Sequence, residues 1–268
     1  MTSHLKKKNN INIEGNLDAA QTIIFAHGFG TDQTAWDAVK QAFKDDYRLV
    51  LYDNVGGGHA DPAAYSPIKY NKLNSYADDL LAIVNDLQLE DAIVIAHSVS
   101  SMITLLANVK NPAIFKKVFF VGASPRYLND ESENYTGGFT QPALDSMYET
   151  MTTNYYAWVS GFSAAAMGNP DQPELGESFA RTLGEIRPDV ALSVAKVIFE
   201  SDVRKELGKL QKETLLLQTQ HDIAVPQEVA EYLNQHISNS KLLYVDAEGH
   251  FPHISAPNQV IAAIKSFI

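Results

Sequence analysis

Residues Ile93–Met102 read IVIAHSVSSM. An apolar, largely β-branched run ends on His97 and Ser98, and small residues follow. A strand that stops on a serine, with a helical pattern opening at the next residue, is the layout of a nucleophile elbow, G-x-S-x-G. The elbow lifts the serine oxygen above the carboxyl edge of a sheet, at a backbone cost of about 1–3 kcal/mol. Its flanking positions must be small, because strand and helix backbones nearly touch there. Here Ala96 and Ser100 stand where the motif has glycine, so A-H-S-V-S meets the steric demand only approximately.

Short apolar runs of the same kind recur on both sides. Gln21–His27, Tyr47–Asp53, Asp91–His97, the stretch from Lys117 to Gly122, Thr214–Gln220 and Lys241–Ala247 all read as buried strands. Their near-continuous apolar character predicts a sheet covered on both faces, hence mostly parallel. Helical patterns lie between them. Asn74–Leu87 gathers Tyr76, Leu80, Ile83, Val84 and Leu87 on one face, Val99–Val109 follows the serine directly, and a last helix begins near Pro257. The alternation predicts an open α/β sheet with helices on both faces. One region breaks the rhythm. Residues 124–205 hold no convincing strand, and Pro142–Asn154, Tyr155–Gly168, Glu174–Gly184 and Asp189–Glu200 read as four helices. The organisation expected is a core of residues 1–123 and 206–268 carrying a helical lid of residues 124–205. Extra helices on the sheet edge are the plainer alternative.

Ser98 has suitable company. The turn HGFG, His27–Gly30, follows a strand and offers the backbone N–H of Phe29, which with that of Val99 makes two donors for an oxyanion. Asp222 falls just past the strand TLLLQTQ, and His250 just past KLLYVDA. The chain order Ser98, Asp222, His250, each at a strand's carboxyl end, is that of a Ser-Asp-His acyl-transfer triad on such a sheet. His250 would take the serine proton, Asp222 would fix the imidazole tautomer, and Phe29 and Val99 would hold the oxyanion. Rival side chains fit less well. Asp246 falls inside a strand, His253 reads as the start of the loop into the last helix, and His97 and His221 read as pocket walls. The run GGGH, Gly56–His59, lacks the G-K-[ST] of a phosphate loop and reads as a flexible loop. No G-x-G-x-x-G is present for a nucleotide, and His250 and His253 do not share a helix as a zinc pair would. No cofactor and no metal are expected.

Bulk properties narrow the field. The 268 residues are 45% hydrophobic, enough for a large core, and carry a formal charge of -11. That field disfavours nucleic acid and anionic membrane as partners. The tract Lys6–Lys8 reads as a solvated tail. Cysteine is absent, which removes thiol catalysis and Cys-ligated zinc. No apolar run reaches the ~20 residues of a spanning helix, and the N-terminus lacks the apolar stretch of a signal peptide. A cytoplasmic monomer is expected.

Longer strings carry a family resemblance. AHGFG, LYDNVGGG, AHSVSSMI, VGASPRYLND, NYYAWVSGF, RTLGEIRPDVALSVAKVIFESDVR, DIAVP and EGHFPH resemble the RsbQ-type hydrolases of bacterial stress signalling and the plant karrikin and strigolactone receptor hydrolases. The likeness covers nearly everything from Thr22 onward. The plant receptors carry H-S-V-S at the elbow, so Ser100 fits them, and Ala96 is the departure. The resemblance implies an α/β-hydrolase fold with a V-shaped four-helix lid over an apolar pocket, and slow hydrolysis of small hydrophobic esters or butenolide lactones. It implies a pocket built from Phe29, Tyr127, Phe139, Trp158, Phe162, Phe179, Ile198, Phe199, Ile223 and Ala224. It also implies a signalling partner: a PAS-domain phosphatase for the bacterial kind, a ubiquitin-ligase adaptor for the plant kind. The two functions to separate are a ligand sensor that hydrolyses slowly and a metabolic esterase or lactonase with no partner.

Overall fold

A computed structural model describes residues 2–268. Among these residues the chain forms a seven-stranded sheet flanked by eleven α-helices. The strands are β1 (Asn12–Gly15), β2 (Thr22–Ala26), β3 (Arg48–Tyr52), β4 (Ala92–His97), β5 (Phe115–Val121), β6 (Glu213–His221) and β7 (Ser240–Glu248). They lie in the order β1-β3-β2-β4-β5-β6-β7, all parallel except β1, which pairs antiparallel with β3. The first helices are α1 (Ser3–Lys8), α2 (Asp37–Lys40), α3 (Leu73–Asp86) and α4 (Val99–Lys110). Between β5 and β6 come α5 (Gln141–Thr153), α6 (Tyr155–Met167), α7 (Pro173–Glu185) and α8 (Pro188–Phe199). The chain closes with α9 (Gln227–His236), α10 (Pro252–Ser255) and α11 (Pro257–Lys265).

The continuous apolar runs now have a cause. Successive residues of a strand point to opposite faces, and here both faces are covered. Ile24 and Ala26 of β2, Val94 and Ala96 of β4 and Val118 and Phe120 of β5 enter one core, with α3, α4 and the helices after β5. Ile23, Phe25, Ile93, Ile95, Phe119 and Val121 enter the other, against Trp36, Val39 and Phe43 and against Val260 and Ile264 of α11. Each large side chain so enclosed contributes about 1.5–3 kcal/mol relative to exposure. The α5–α8 segment shares the first core with α4: Leu144, Trp158, Leu183 and Ile198 pack in one cluster with Met102 and Ile103. Local signals set its joints. Asn154 caps α6 by accepting from the Ala157 N–H at 3.4 Å, Gly168 ends α6 in the left-handed region, and proline opens α7 and α8.

One reading of the N-terminal region is corrected, and one strand is added. Lys6–Lys8 is not a tail, and of its three lysines only Lys6 and Lys7 are solvated. It ends α1, and Lys8 is buried in an ion pair with Asp79 of α3, which also accepts the Tyr70 hydroxyl at 2.8 Å. The reason is the next residue: the Asn9 carbonyl accepts the Asp53 N–H at 2.7 Å and Asn9 Nδ2 donates to the Asp53 carbonyl at 3.0 Å, drawing Lys8 inward. Strand β1 was not foreseen, because NIEG is short and polar, as befits an edge.

Strand order places the site. From β2 the chain steps to β3 on one side, then returns to β4 on the other, so the carboxyl ends of β2 and β4 flank a crevice. Ala26 and Ala96 are in register across that junction. The loop after β2 and the serine after β4 therefore emerge side by side.

Candidate active site

Ser98 joins β4 to α4 with φ 54° and ψ -126°, a conformation L-residues rarely adopt. Its N–H is held by the Val121 carbonyl of β5 at 2.8 Å, and its own carbonyl accepts from Ser101 at 2.9 Å. The surrounding ladder thus imposes the strain. His250 Nε2 lies 2.8 Å from Ser98 Oγ, and His250 Nδ1 lies 2.7 Å from Asp222 Oδ2. A carboxylate can only accept here, so Nδ1 carries the proton and Nε2 faces the serine as an acceptor. Asp222 is itself pinned: Oδ1 accepts from the Ala224 N–H at 2.8 Å and the Val225 N–H at 3.1 Å, and Oδ2 accepts from Gln218 Nε2 at 3.1 Å.

Val99 is the first residue of α4, so its N–H sits at the positive end of a twelve-residue helix. Neither that N–H nor the N–H of Phe29 has an acceptor among the described residues. The peptide carrying the Phe29 N–H is fixed through its oxygen, since the Gly28 carbonyl lies 2.8 Å from His27 Nδ1 and accepts Thr31 Oγ1 at 3.1 Å. The Asn54 N–H donates to His27 Nε2 at 2.9 Å, so Nδ1 is the protonated nitrogen and donates to Gly28. Glycine is required at position 28: a Cβ there would lie 2.4 Å from His97 Nδ1.

Side chains expected as walls fall into groups. Phe29 and Ile198, with Tyr76, Val99, Ile103 and Val194, line an apolar cavity of about 30 Å³, room for about two waters. Tyr127, Phe139 and Phe199 form a cluster with ring centroids 5.0 to 6.4 Å apart. The Tyr127 hydroxyl is 3.4 Å from Ser98 Oγ, and burial pushes its pKa up to about 12 against the opposing Ser98 hydrogen bond. It stays protonated there. Trp158 stacks on Phe162 at 5.1 Å, Phe162 meets Phe179 at 6.3 Å, and Phe179 meets Phe251 at 4.5 Å. Ala224 is buried. Ile223 is the exception, 53% exposed, because Asp222 turns the loop by taking both following N–H groups and leaves Ile223 at its outer tip.

Several histidines stand elsewhere than expected. His97 is not a pocket wall but is fully buried behind the site, where Nε2 donates to the His250 carbonyl at 2.9 Å. His221 ends β6 with its side chain exposed. His253 lies in the short helix α10, fully buried, its ring 4.4 Å from Trp36 and 4.3 Å from His97. Asp246 lies in β7 and faces solvent. Gly56–His59 forms a turn braced by the His59 N–H on Asp53 Oδ2 at 2.9 Å. One contributor was missed. Ser100 is more than small: its hydroxyl donates to the His27 carbonyl at 2.5 Å and accepts Asn54 Nδ2 at 3.1 Å.

A family profile described as the alpha/beta hydrolase fold matches residues 21–257. The chain belongs to the α/β-hydrolase family. Within it, strigolactone esterase RMS3 of Pisum sativum is 42% identical over 250 residues, 93% of this chain and 92% of that one. The karrikin insensitive 2 receptor CA of Petunia hybrida is 40% identical over 265 residues, covering 98% and 97%. Among solved structures, a hydrolase from Oleispira antarctica superposes with a TM-score of 0.94 at 30% identity, over 98% of this chain and 95% of that one. The likeness to this strigolactone esterase and this karrikin insensitive 2 receptor thus runs nearly the length of the chain, α5–α8 included. No helix among the described residues is long and apolar enough to cross a membrane.

Proposed function

We propose that this α/β-hydrolase cleaves a small hydrophobic ester or lactone through Ser98, slowly, and serves as a ligand sensor that signals through a protein partner. The observation that carries the hydrolytic half is the unbroken relay Ser98–His250–Asp222, at 2.8 and 2.7 Å. As Ser98 Oγ bonds to the acyl carbon, its proton passes to His250 Nε2. The resulting imidazolium is stabilised by Asp222, and the charge on the carbonyl oxygen falls to the N–H groups of Phe29 and Val99. Collapse breaks the ester C–O bond, and the departing alkoxide takes the proton from His250. In a lactone that alkoxide stays tethered to the acyl group. Water, activated by the same imidazole, then frees Ser98.

The sensor half rests on the full-length likeness to chains named receptors, and on how closed the site is. A cavity of about 30 Å³ is far below the ~300 Å³ at which small-molecule pockets begin. Admitting a butenolide-sized ligand therefore requires the walls to move, among them Val194 and Ile198 of α8, so occupancy is written into the position of the helices after β5. On this reading they are a lid. The partner would be a phosphatase with a PAS domain or a ubiquitin-ligase adaptor. The second reading, a metabolic esterase, is favoured by the complete relay, which a pure binder would not need. Hydrogen exchange across residues 124–205, with and without a butenolide, separates them. Ligand-dependent protection together with slow turnover supports the sensor; rapid turnover with indifferent helices supports the esterase.

A further inference from the structure

Of the two loops that carry the chemistry, one is hydrogen-bonded to α6 and the other to α7. The His250 N–H donates to the carbonyl of Ala166, in the last turn of α6, at 2.8 Å. Beside it, Asn169 Nδ2 donates to the Glu248 carbonyl at 3.2 Å, and a Cβ on Gly249 would lie 1.9 Å from the Met167 carbonyl oxygen. On the other side of the site, Thr182 Oγ1 of α7 lies 2.8 Å from the carbonyl of Gly30, the residue after Phe29. Gly30 has φ +78°, and a Cβ there would meet Phe179 at 2.8 Å and Leu183 at 2.9 Å, so α7 sits directly on the loop. The core grips one end of this loop, through Thr31 and His27 on the Gly28 carbonyl. Thr182 grips the other.

Resting on the hydrolytic reading above, we propose that Thr182 is a positioning residue for that reaction. Its hydroxyl holds Gly30, so the Phe29 N–H is aimed at the developing oxyanion only while α7 is seated. Because α6 holds the His250 backbone in the same way, displacement of the α6–α7 pair would disturb the proton acceptor and the oxyanion donor together. Hydrolytic competence is then a property of the seated helices, not of the sheet edge alone. The interaction is made by a side chain and can be deleted cleanly. Threonine and valine have nearly the same shape, and Thr182 is only half buried. The competing structural role is local, since the same hydroxyl lies 3.0 Å from the Phe179 carbonyl one turn back in α7.

The test compares wild type, Thr182→Val, Thr182→Ser and Ser98→Ala as full-length chains, with p-nitrophenyl acetate as substrate and melting temperature recorded for each. Thr182→Val is expected to lower kcat by about tenfold to a hundredfold, the scale of a misaligned catalytic group, with KM and melting temperature unchanged. Thr182→Ser, which keeps the donor, is expected to restore most of kcat. Wild-type kcat in Thr182→Val, an equal loss in Thr182→Ser, or a loss that tracks a falling melting temperature overturns the proposal. Ser98→Ala separates the levels. If it is inactive while Thr182→Val is fully active, only the positioning role fails; if it retains turnover, the hydrolytic reading fails and takes the positioning role with it.

Discussion

The hydroxyl of Ser100 donates to the carbonyl of His27 at 2.5 Å, joining the first turn of the elbow helix to the loop after β2. A glycine at position 100, as in the G-x-S-x-G motif, would satisfy the sterics but not this bond. Ser100→Ala and Ser100→Gly should therefore both lose stability, by about 1–3 kcal/mol for a buried carbonyl left under-satisfied, with Asn54 Nδ2 as its remaining partner. Glycine should cost about 0.5–1 kcal/mol more, for its freedom inside a helix. Turnover should fall in both, because His27 orients the Gly28–Phe29 peptide. Chemical denaturation paired with ester turnover checks this; a variant as stable and active as wild type would show the bond to be incidental.

Gly249 separates β7 from His250 at φ +80°, and a Cβ there would sit 1.9 Å from the Met167 carbonyl oxygen and 3.0 Å from that of Ala166. Gly249→Ala must strain the backbone, at about 1–3 kcal/mol, and also push α6 away. The expected result is a lower melting temperature together with a large loss of turnover, because the displaced backbone carries His250. Unchanged activity would mean that the contact between α6 and this loop does not position the imidazole.

Acid should destabilise the fold through its buried imidazoles. Burial lowers the His253 pKa to about 3, with the neighbouring His250 adding to the shift, and it holds His97 well below the ordinary histidine value. Below about 6.5 the unfolded chain protonates these groups while the folded chain does not. Stability is therefore complete above that pH and is lost as pH falls towards the folded value, at about 1.4 kcal/mol per pH unit for each such histidine. Carboxylates add their own acid dependence, so the informative quantity is a difference. His253→Phe, which keeps a ring against Trp36, should flatten the curve between pH 6.5 and 4 by about one histidine's share. Parallel curves for wild type and variant would contradict the assignment.

Much of this candidate site was legible in the sequence because its side chains sit where strands end. Ser98 and Asp222 directly follow strands whose apolar pattern marks them as buried, His250 follows the edge strand β7 after one glycine, and strand order alone brings Phe29 beside Ser98. The four helices after β5 announced themselves through proline, glycine and asparagine at their joints. What stayed hidden was tertiary. Lys8 reads as solvated until Asp79 and Asn9 draw it in, and no local pattern encodes that pairing. His97 looks like a wall residue because its acceptor, the His250 carbonyl, lies 153 positions away. The grip of α6 on His250 uses a backbone carbonyl of Ala166, an acceptor every residue possesses and no side chain advertises. Thr182 was one polar position on an amphipathic helix until Gly30 appeared opposite it.

The most direct measurement of the central claim is covalent trapping. A fluorophosphonate reacts with an activated serine by losing fluoride as the phosphorus–oxygen bond forms, and its phosphoryl oxygen occupies the place of the oxyanion. The wild-type chain should gain one adduct, mapped by peptide mass spectrometry to Ser98, and lose turnover in proportion to labelling. Ser98→Ala should take no label and hydrolyse no p-nitrophenyl acetate while melting at or above the wild-type temperature. A label on any other residue, or turnover that survives in Ser98→Ala, would contradict the account.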